Sequence, residues 1–202
     1  KQFAIPILET FNEFALGICE GQQLDMDFEN VKYISQEDYT QMITLKTAIL
    51  LKGALQIGSI IGEASESDIK EIGLFGLNLG IAFQLQDDLL DVYGDTKVFG
   101  KKVGGDILAN KKTILTIKAF SKAKGLSLET LNRLYQTNDI DPAQKIAEVT
   151  RIFDETNIKE EVEHLIVNYH TKAVDAFNRI SVSPSRKEVL MGISNKIMSR
   201  NS

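Results

Sequence analysis

The apolar run Leu79-Gly80-Ile81-Ala82-Phe83-Gln84-Leu85-Gln86 ends in Asp87-Asp88-Leu89-Leu90-Asp91, three carboxylates within five positions. On a helix Asp87 and Asp91 stand at i and i+4 and point from one face, with Asp88 turned about 100° from Asp87. Gln84 lies one turn before Asp87 on nearly the same face. Carboxylates gathered at the end of a buried helix repel one another and lose hydration unless cations neutralise them. Oxygen ligands with no histidine or cysteine favour Mg²⁺ over zinc, and Mg²⁺ commonly joins a few carboxylates to substrate phosphates. The plain alternative is a solvated acidic helix end. Against it stand the apolar approach Gly80-Ile81-Ala82-Phe83, which reads as core, and the flanking Gln84. An EF-hand is excluded, because the alternating oxygen ligands, central glycine and closing glutamate are missing.

A metal held by carboxylates needs an anion on its far side, and lysines can grip that anion. Lys46, followed by Thr47, sits in a largely apolar helical stretch. Alone such a lysine reads as one that snorkels to water, but beside the aspartates it becomes a candidate phosphate ligand. Lys101 and Lys111 complete a set that two helices and one loop could supply. Lys97, Lys102 and Lys112 read as solvated, although charge alone does not separate Lys101 from Lys102. His164 and His170 share no i,i+3 or i,i+4 spacing and adjoin no cysteine, so they read as surface or satisfied core residues rather than ligands.

The elements that must position these groups are helices. Apolar residues recur at helical spacing almost throughout, and the chain has three prolines. The pattern predicts a helix over 6–25, a polar connector over 28–34, and a helix capped by Ser35 with Met42, Leu45, Ile49, Leu50, Leu55 and Ile60 on its apolar face. A central helix starts at Ser65 or Ser67, passes the aspartates and stops near Gly94. Its Gly73, Gly76 and Gly80 suit close helix contact, despite a propensity cost of up to about 1 kcal/mol each. A glycine- and lysine-rich loop follows over 95–105, then helices at 107–122, 127–136, 142–155, 158–180 and 184–200. The expected fold is all-α, a single-domain helical bundle over 1–202 around a central cavity.

Composition narrows the function classes. A chain of 202 residues, 43% hydrophobic, can bury one sizeable core. The net charge of −5 and the lack of a basic stripe argue against nucleic acid. The single cysteine, Cys19, reads as a packed residue in a reducing, cytoplasmic setting. No uncharged apolar run reaches about 18 residues; the longest candidate, 48–62, is interrupted by Lys52, Gln56 and Ser59, so no membrane span is expected.

The segment 79–91 resembles the second aspartate-rich motif, LGxAFQxxDDxLD, of the trans-isoprenyl diphosphate synthases, and matches it at every specified position. Further similarities follow in family order: Gly21-Gln22-Gln23-Leu24-Asp25 to the GQxxD helix, Lys46-Thr47-Ala48-Ile49-Leu50 to the KTAxL helix, and Gly100-Lys101 with Gly104, Asp106 and Lys111 to the loop after the second motif. The resemblance spans residues 4 to about 120. It implies a Mg²⁺-dependent prenyltransferase that condenses isopentenyl diphosphate with an allylic diphosphate, acting as a homodimer. On this mapping Asp87 is a direct metal ligand, supported directly or through water by Asp88 and Asp91. Lys46 and Lys101 hold the allylic diphosphate with Lys111 nearby, Thr47 and Gln84 point dipoles at the allylic cation, and Asp25 pairs with Lys46. Two departures stand out. No other DDxxD occurs, so the chain reads as the C-terminal two-thirds of a synthase, incomplete at its N-terminal side; and the Thr-Tyr-Pro-like stretch of the family is Thr113-Ile114-Leu115 here. A non-catalytic partner subunit and a Mg²⁺-dependent terpene cyclase are the alternatives.

Overall fold

A computed structural model describes residues 3–94, 103–137 and 139–199. These are helical, with no strand among them. In chain order the elements are α1 (Ala4–Glu29), α2 (Gln36–Ile43), a π-helical segment (Thr44–Ala48), α3 (Ile49–Ile61), α4 (Glu66–Tyr93), α5 (Gly105–Leu108), α6 (Ile114–Lys122), α7 (Gly125–Gln136), α8 (Pro142–Glu155), α9 (Ile158–Asn178) and α10 (Pro184–Met198).

The central helix starts where a start signal stands. Ser65 accepts a hydrogen bond from the Asp68 amide at 3.1 Å, and Glu66 and Asp68 in the first turn oppose the helix dipole favourably. Along its length α4 packs against α9 on one side and α3 on another. Ile72, Phe75 and Leu79 are buried with Ala173, Ala176 and Phe177 of α9, and the Phe75 and Phe177 ring centroids lie 4.6 Å apart. The small residues serve approach: a Cβ built on Gly80 would lie 2.6 Å from Ala48 Cα, and one on Gly76 2.9 Å from the Leu51 carbonyl oxygen. Side chains there would push α4 off α3. A larger apolar cluster surrounds the C-terminal part of α4 and includes Leu85, Leu89, Ile114, Leu115, Ile152 and Phe153.

Three expectations need correction. The helix from Ser35 is interrupted by the π segment, which inserts a residue into the helical phase. Leu50, expected on the apolar face, is therefore 48% exposed, while Ile49 turns to Gly17 and Leu55 to Gly76. The helix expected over 107–122 is two helices, because Asn110 takes a left-handed conformation (φ +55°) and Thr113 is extended. Cys19 is exposed rather than packed. Gly17 and Gly21 face the neighbouring helices, and Cys19 sits about 200° round the helix from Gly17. The expected loop over 95–105 lies largely outside the described residues.

The stretch Gln36–Ile61 is long and apolar enough, by length and composition alone, to cross a membrane, with mean hydropathy 1.2. In the bundle it runs between α1 and α4. Its interrupting polar groups are engaged there: Lys52 pairs with Glu13 at 2.6 Å and Ser59 donates to the Gln56 carbonyl at 2.8 Å. Within this chain 22% of its apolar window is buried.

Candidate active site

Where α1, the π segment and α4 converge, their ends and the segment 103–113 enclose a cavity of about 560 Å³. Asp25, Lys46, Thr47, Gln84, Asp87, Asp88, Asp91 and Lys111 all line it. The structure thus brings together every expected site residue except Lys101, which lies outside the described residues with Lys97 and Lys102.

Close backbone approach builds the first wall. A Cβ on Gly21 would lie 2.3 Å from the Lys46 backbone nitrogen, so α1 can lie against the π segment only with glycine there. Thr40 before the segment and Thr44 at its start turn their hydroxyls back on the helix, Thr40 to the Gln36 carbonyl at 2.8 Å and Thr44 to the Thr40 carbonyl at 2.6 Å. Such back-bonding loosens a helix, and π segments of this kind often fall at functional sites. This one delivers Lys46 and Thr47. The Lys46 Nζ is 2.5 Å from Asp25 Oδ2, a half-exposed pair that fixes the ammonium group at the cavity.

A line of hydrogen bonds crosses to α4. The Thr47 hydroxyl donates to Gln84 Oε1 at 3.2 Å, and Gln84 Nε2 donates to Asp88 Oδ1 at 3.1 Å. The second oxygen of Asp88 accepts from the Tyr39 hydroxyl and, at 3.3 Å, from the Ile114 amide. Asp88 is 4% exposed, and burial pushes its carboxyl up to about 7, reinforced by the Asp106 charge and opposed by these donors. Burial and the Asp88 charge in turn raise the Tyr39 hydroxyl well above its usual range. The family resemblance expects Asp88 to support the metal, directly or through water. Its position 100° round the helix turns it inward, where both of its oxygens are occupied by protein donors.

Asp87 differs completely. It is exposed to the cavity, and among the described residues no protein donor engages its carboxylate. Asp91 is intermediate: Oδ2 accepts the Asp106 amide at 2.9 Å, and its carboxyl is raised by burial and by the Asp106 charge. Lys111 reaches Asp106 Oδ1 at 2.8 Å, and that bond raises the lysine. Lys112, expected to be solvated, donates to the Glu29 carbonyl at 3.1 Å and ties the end of α1 to this wall.

Among the described residues the lining holds six carboxylates (Asp25, Glu29, Asp87, Asp88, Asp91 and Asp106) against three lysines (Lys46, Lys111 and Lys112). That excess of negative charge beside lysines fits a divalent cation together with an anion. Among the described residues no three acidic, histidine or cysteine side chains gather in metal-ligating geometry. Mg²⁺ does not require such a cage, since it usually keeps water and takes one or two carboxylates plus phosphate oxygens. Asp87 and Asp91, oxygen donors on one face, suit that role. Sequence reasoning missed Tyr39 and Asn110. Tyr39 stands seven residues, two helical turns, before Lys46, and that spacing was its only signal.

Fold and site define an all-helical protein with an acidic, lysine-flanked cavity at the end of its central helix. The chain belongs to the polyprenyl synthetase family, whose model matches residues 2–153. It is 42% identical over 134 residues to the geranylgeranyl diphosphate synthase of Saccharolobus solfataricus, covering 64% of this chain and 40% of that protein. It is 33% identical to the short chain isoprenyl diphosphate synthase of Methanothermobacter thermautotrophicus, covering 86% of this chain and 53% of the relative. Among solved structures, a geranylgeranyl pyrophosphate synthase superposes with a TM-score of 0.92 at 36% identity, over 100% of this chain and 63% of the other. The chain spans about half the length of these curated relatives.

Proposed function

We propose that this chain carries the allylic-diphosphate half of a Mg²⁺-dependent prenyltransferase that joins isopentenyl diphosphate to an allylic diphosphate. The observation that carries this reading is one cavity onto which Lys46 and Lys111 project from separate elements, beside Asp87, whose carboxylate no donor among the described residues engages.

Mg²⁺, when bound by Asp87 and through water by Asp91, would supply positive charge that binds the diphosphate and stabilises it as a leaving group. The chain's own residues do the rest. Lys46, fixed by Asp25, and Lys111, fixed by Asp106, place ammonium groups against the diphosphate oxygens, with Lys101 as a third candidate. The carbon–oxygen bond of the allylic substrate breaks and its electron pair leaves with the diphosphate. The Thr47–Gln84–Asp88 line turns the oxygens of Thr47 and Gln84 into fixed dipoles beside the resulting allylic cation. The double bond of isopentenyl diphosphate then forms the new carbon–carbon bond, and a proton is lost to the released pyrophosphate. Exposed Ile5, Leu8, Phe11 and Leu16 leave α1 with apolar surface suited to a second copy, which supports a homodimer. A lone unpaired cysteine suits the cytoplasm.

The test is prenyl transfer by the complete protein, with labelled isopentenyl diphosphate and dimethylallyl, geranyl or farnesyl diphosphate. Elongated product that disappears on chelation is expected. Folded protein that yields no product with any primer would overturn the reading in favour of a partner subunit. Cyclised hydrocarbon from the allylic substrate alone would point to a terpene cyclase.

A further inference from the structure

Among the described residues Lys145 is a buried cation with no carboxylate partner. It stands on α8, is 6% exposed, and donates from Nζ to Asn110 Oδ1 at 2.6 Å. Its ammonium lies 5.3 Å from the centroid of the Tyr135 ring. Burial lowers its pKa, as expected for an ammonium group held only by neutral partners. Burying a charge this way is costly unless something is gained, and what it holds is the backbone that carries the phosphate-facing lysine. Asn110 has φ +55°, a conformation that side chains other than asparagine, aspartate and glycine rarely take. It directly precedes Lys111.

The next residue on α8 clamps the other end of the same segment. Gly104 has φ +87°, and a Cβ there would lie 2.6 Å from Ile146 Cδ1. The Gly104 amide donates to the Asp91 carbonyl at 2.6 Å. Two adjacent residues of α8, Lys145 and Ile146, therefore brace both ends of segment 104–110, with Asp106 between them. Tyr135, under the Lys145 charge, continues the brace: its hydroxyl meets Thr116 Oγ1 at 3.1 Å, Thr116 Oγ1 meets Thr113 Oγ1 at 3.2 Å, and Thr113 caps α6. The first amide of α6, that of Ile114, donates to Asp88.

We propose that Lys145 and Asn110 form a positioning pair that sets the segment carrying Asp106 and Lys111 for diphosphate binding. Neither residue needs to touch the substrate. The proposal rests on the diphosphate reading of the cavity, and its test separates the two. In the complete protein, Lys145→Met keeps the apolar stem and removes the donor, Lys145→Arg keeps a donor, and Asn110→Gly keeps the left-handed conformation while removing the acceptor. Lys145→Met and Asn110→Gly should each raise KM for the allylic diphosphate and Kd for magnesium pyrophosphate about tenfold, the worth of one charge-assisted hydrogen bond. In each, kcat should hold within about threefold, because the transition-state contacts are kept. Lys145→Arg should recover part of the loss. The double variant should be no worse than either single, since both remove one interaction. Amide hydrogen exchange over 103–113 should quicken in Lys145→Met and Asn110→Gly alike. Normal exchange and normal Kd in folded Lys145→Met, or additive losses in the double variant, would overturn the pair. If the unaltered protein binds no magnesium pyrophosphate, the diphosphate reading fails, and the exchange measurement still decides whether Lys145 braces the segment.

Discussion

The two ends of α4 carry the same side chain into opposite circumstances. At the N-terminal end, Asp68 accepts the Ser181 amide at 2.7 Å, and this bond holds its carboxyl below the usual range. The helix dipole favours a negative charge there. At the C-terminal end, Asp88 and Asp91 are raised by burial and by the nearby Asp106, and the dipole opposes them. The first end is satisfied by the fold alone. The second is left in want of positive charge, and natural sequences keep such local conflict where a ligand resolves it. Between the two ends, Phe75 and its neighbours show no such tension and simply pack.

The largest expected effect breaks the acidic end. Asp87→Ala should lower turnover by roughly 10²–10³-fold, the order associated with removing one electrostatic contact to the reacting group, while the melting temperature stays put because Asp87 is exposed. Near-normal turnover in a prenyl-transfer assay would take the metal contact away from Asp87.

A smaller effect concerns Asp88, whose folded pKa is about 7 against an ordinary 3.8. Between those values the folded chain holds a proton that the unfolded chain releases. Stability of the chelator-treated protein should therefore fall as pH rises through this window, by up to about 1.4 kcal/mol per pH unit. Asp88→Asn should remove this contribution and leave a shallower slope, as read from denaturant melts at several pH values. An unchanged slope would show that Asp88 is not the group held protonated.

The smallest effect is at the satisfied end. Asp68→Asn should lower the melting temperature by a few degrees at neutral pH. Because the folded pKa is depressed, the wild-type advantage is present above 3.8 and fades as pH falls through the lowered value. A wild-type advantage that instead grew on acidification would contradict the assigned direction and erase the contrast between the two ends.

Much of this architecture was legible in residue order. The start of α4 at Ser65, one of two serines that could begin it, and of α8 at Pro142 follow from local start signals, and the helix bearing Asp87, Asp88 and Asp91 follows from apolar periodicity. The fates of those three aspartates were not. Periodicity places Asp88 100° from Asp87 with Gln84 one turn before it, but cannot name the Tyr39 hydroxyl and the Ile114 amide that meet it from two other helices. The break at 109–113 also escaped, since Asn110 continues a helix as readily on paper as it ends one.

The sequence by itself determined that the chain is helical, which helix bears the acidic cluster, and the family to which its ordered motifs assign it. These are local properties, set by spacing and by capping within a few residues. Only the tertiary structure decided which of the cavity's carboxylates are held by protein donors and which stands open, that Lys46 rides a π segment against Gly21, and that Lys145 braces a loop thirty-five residues away. Each depends on contacts between segments far apart in the chain, where burial and charge are set by neighbours that no local pattern names.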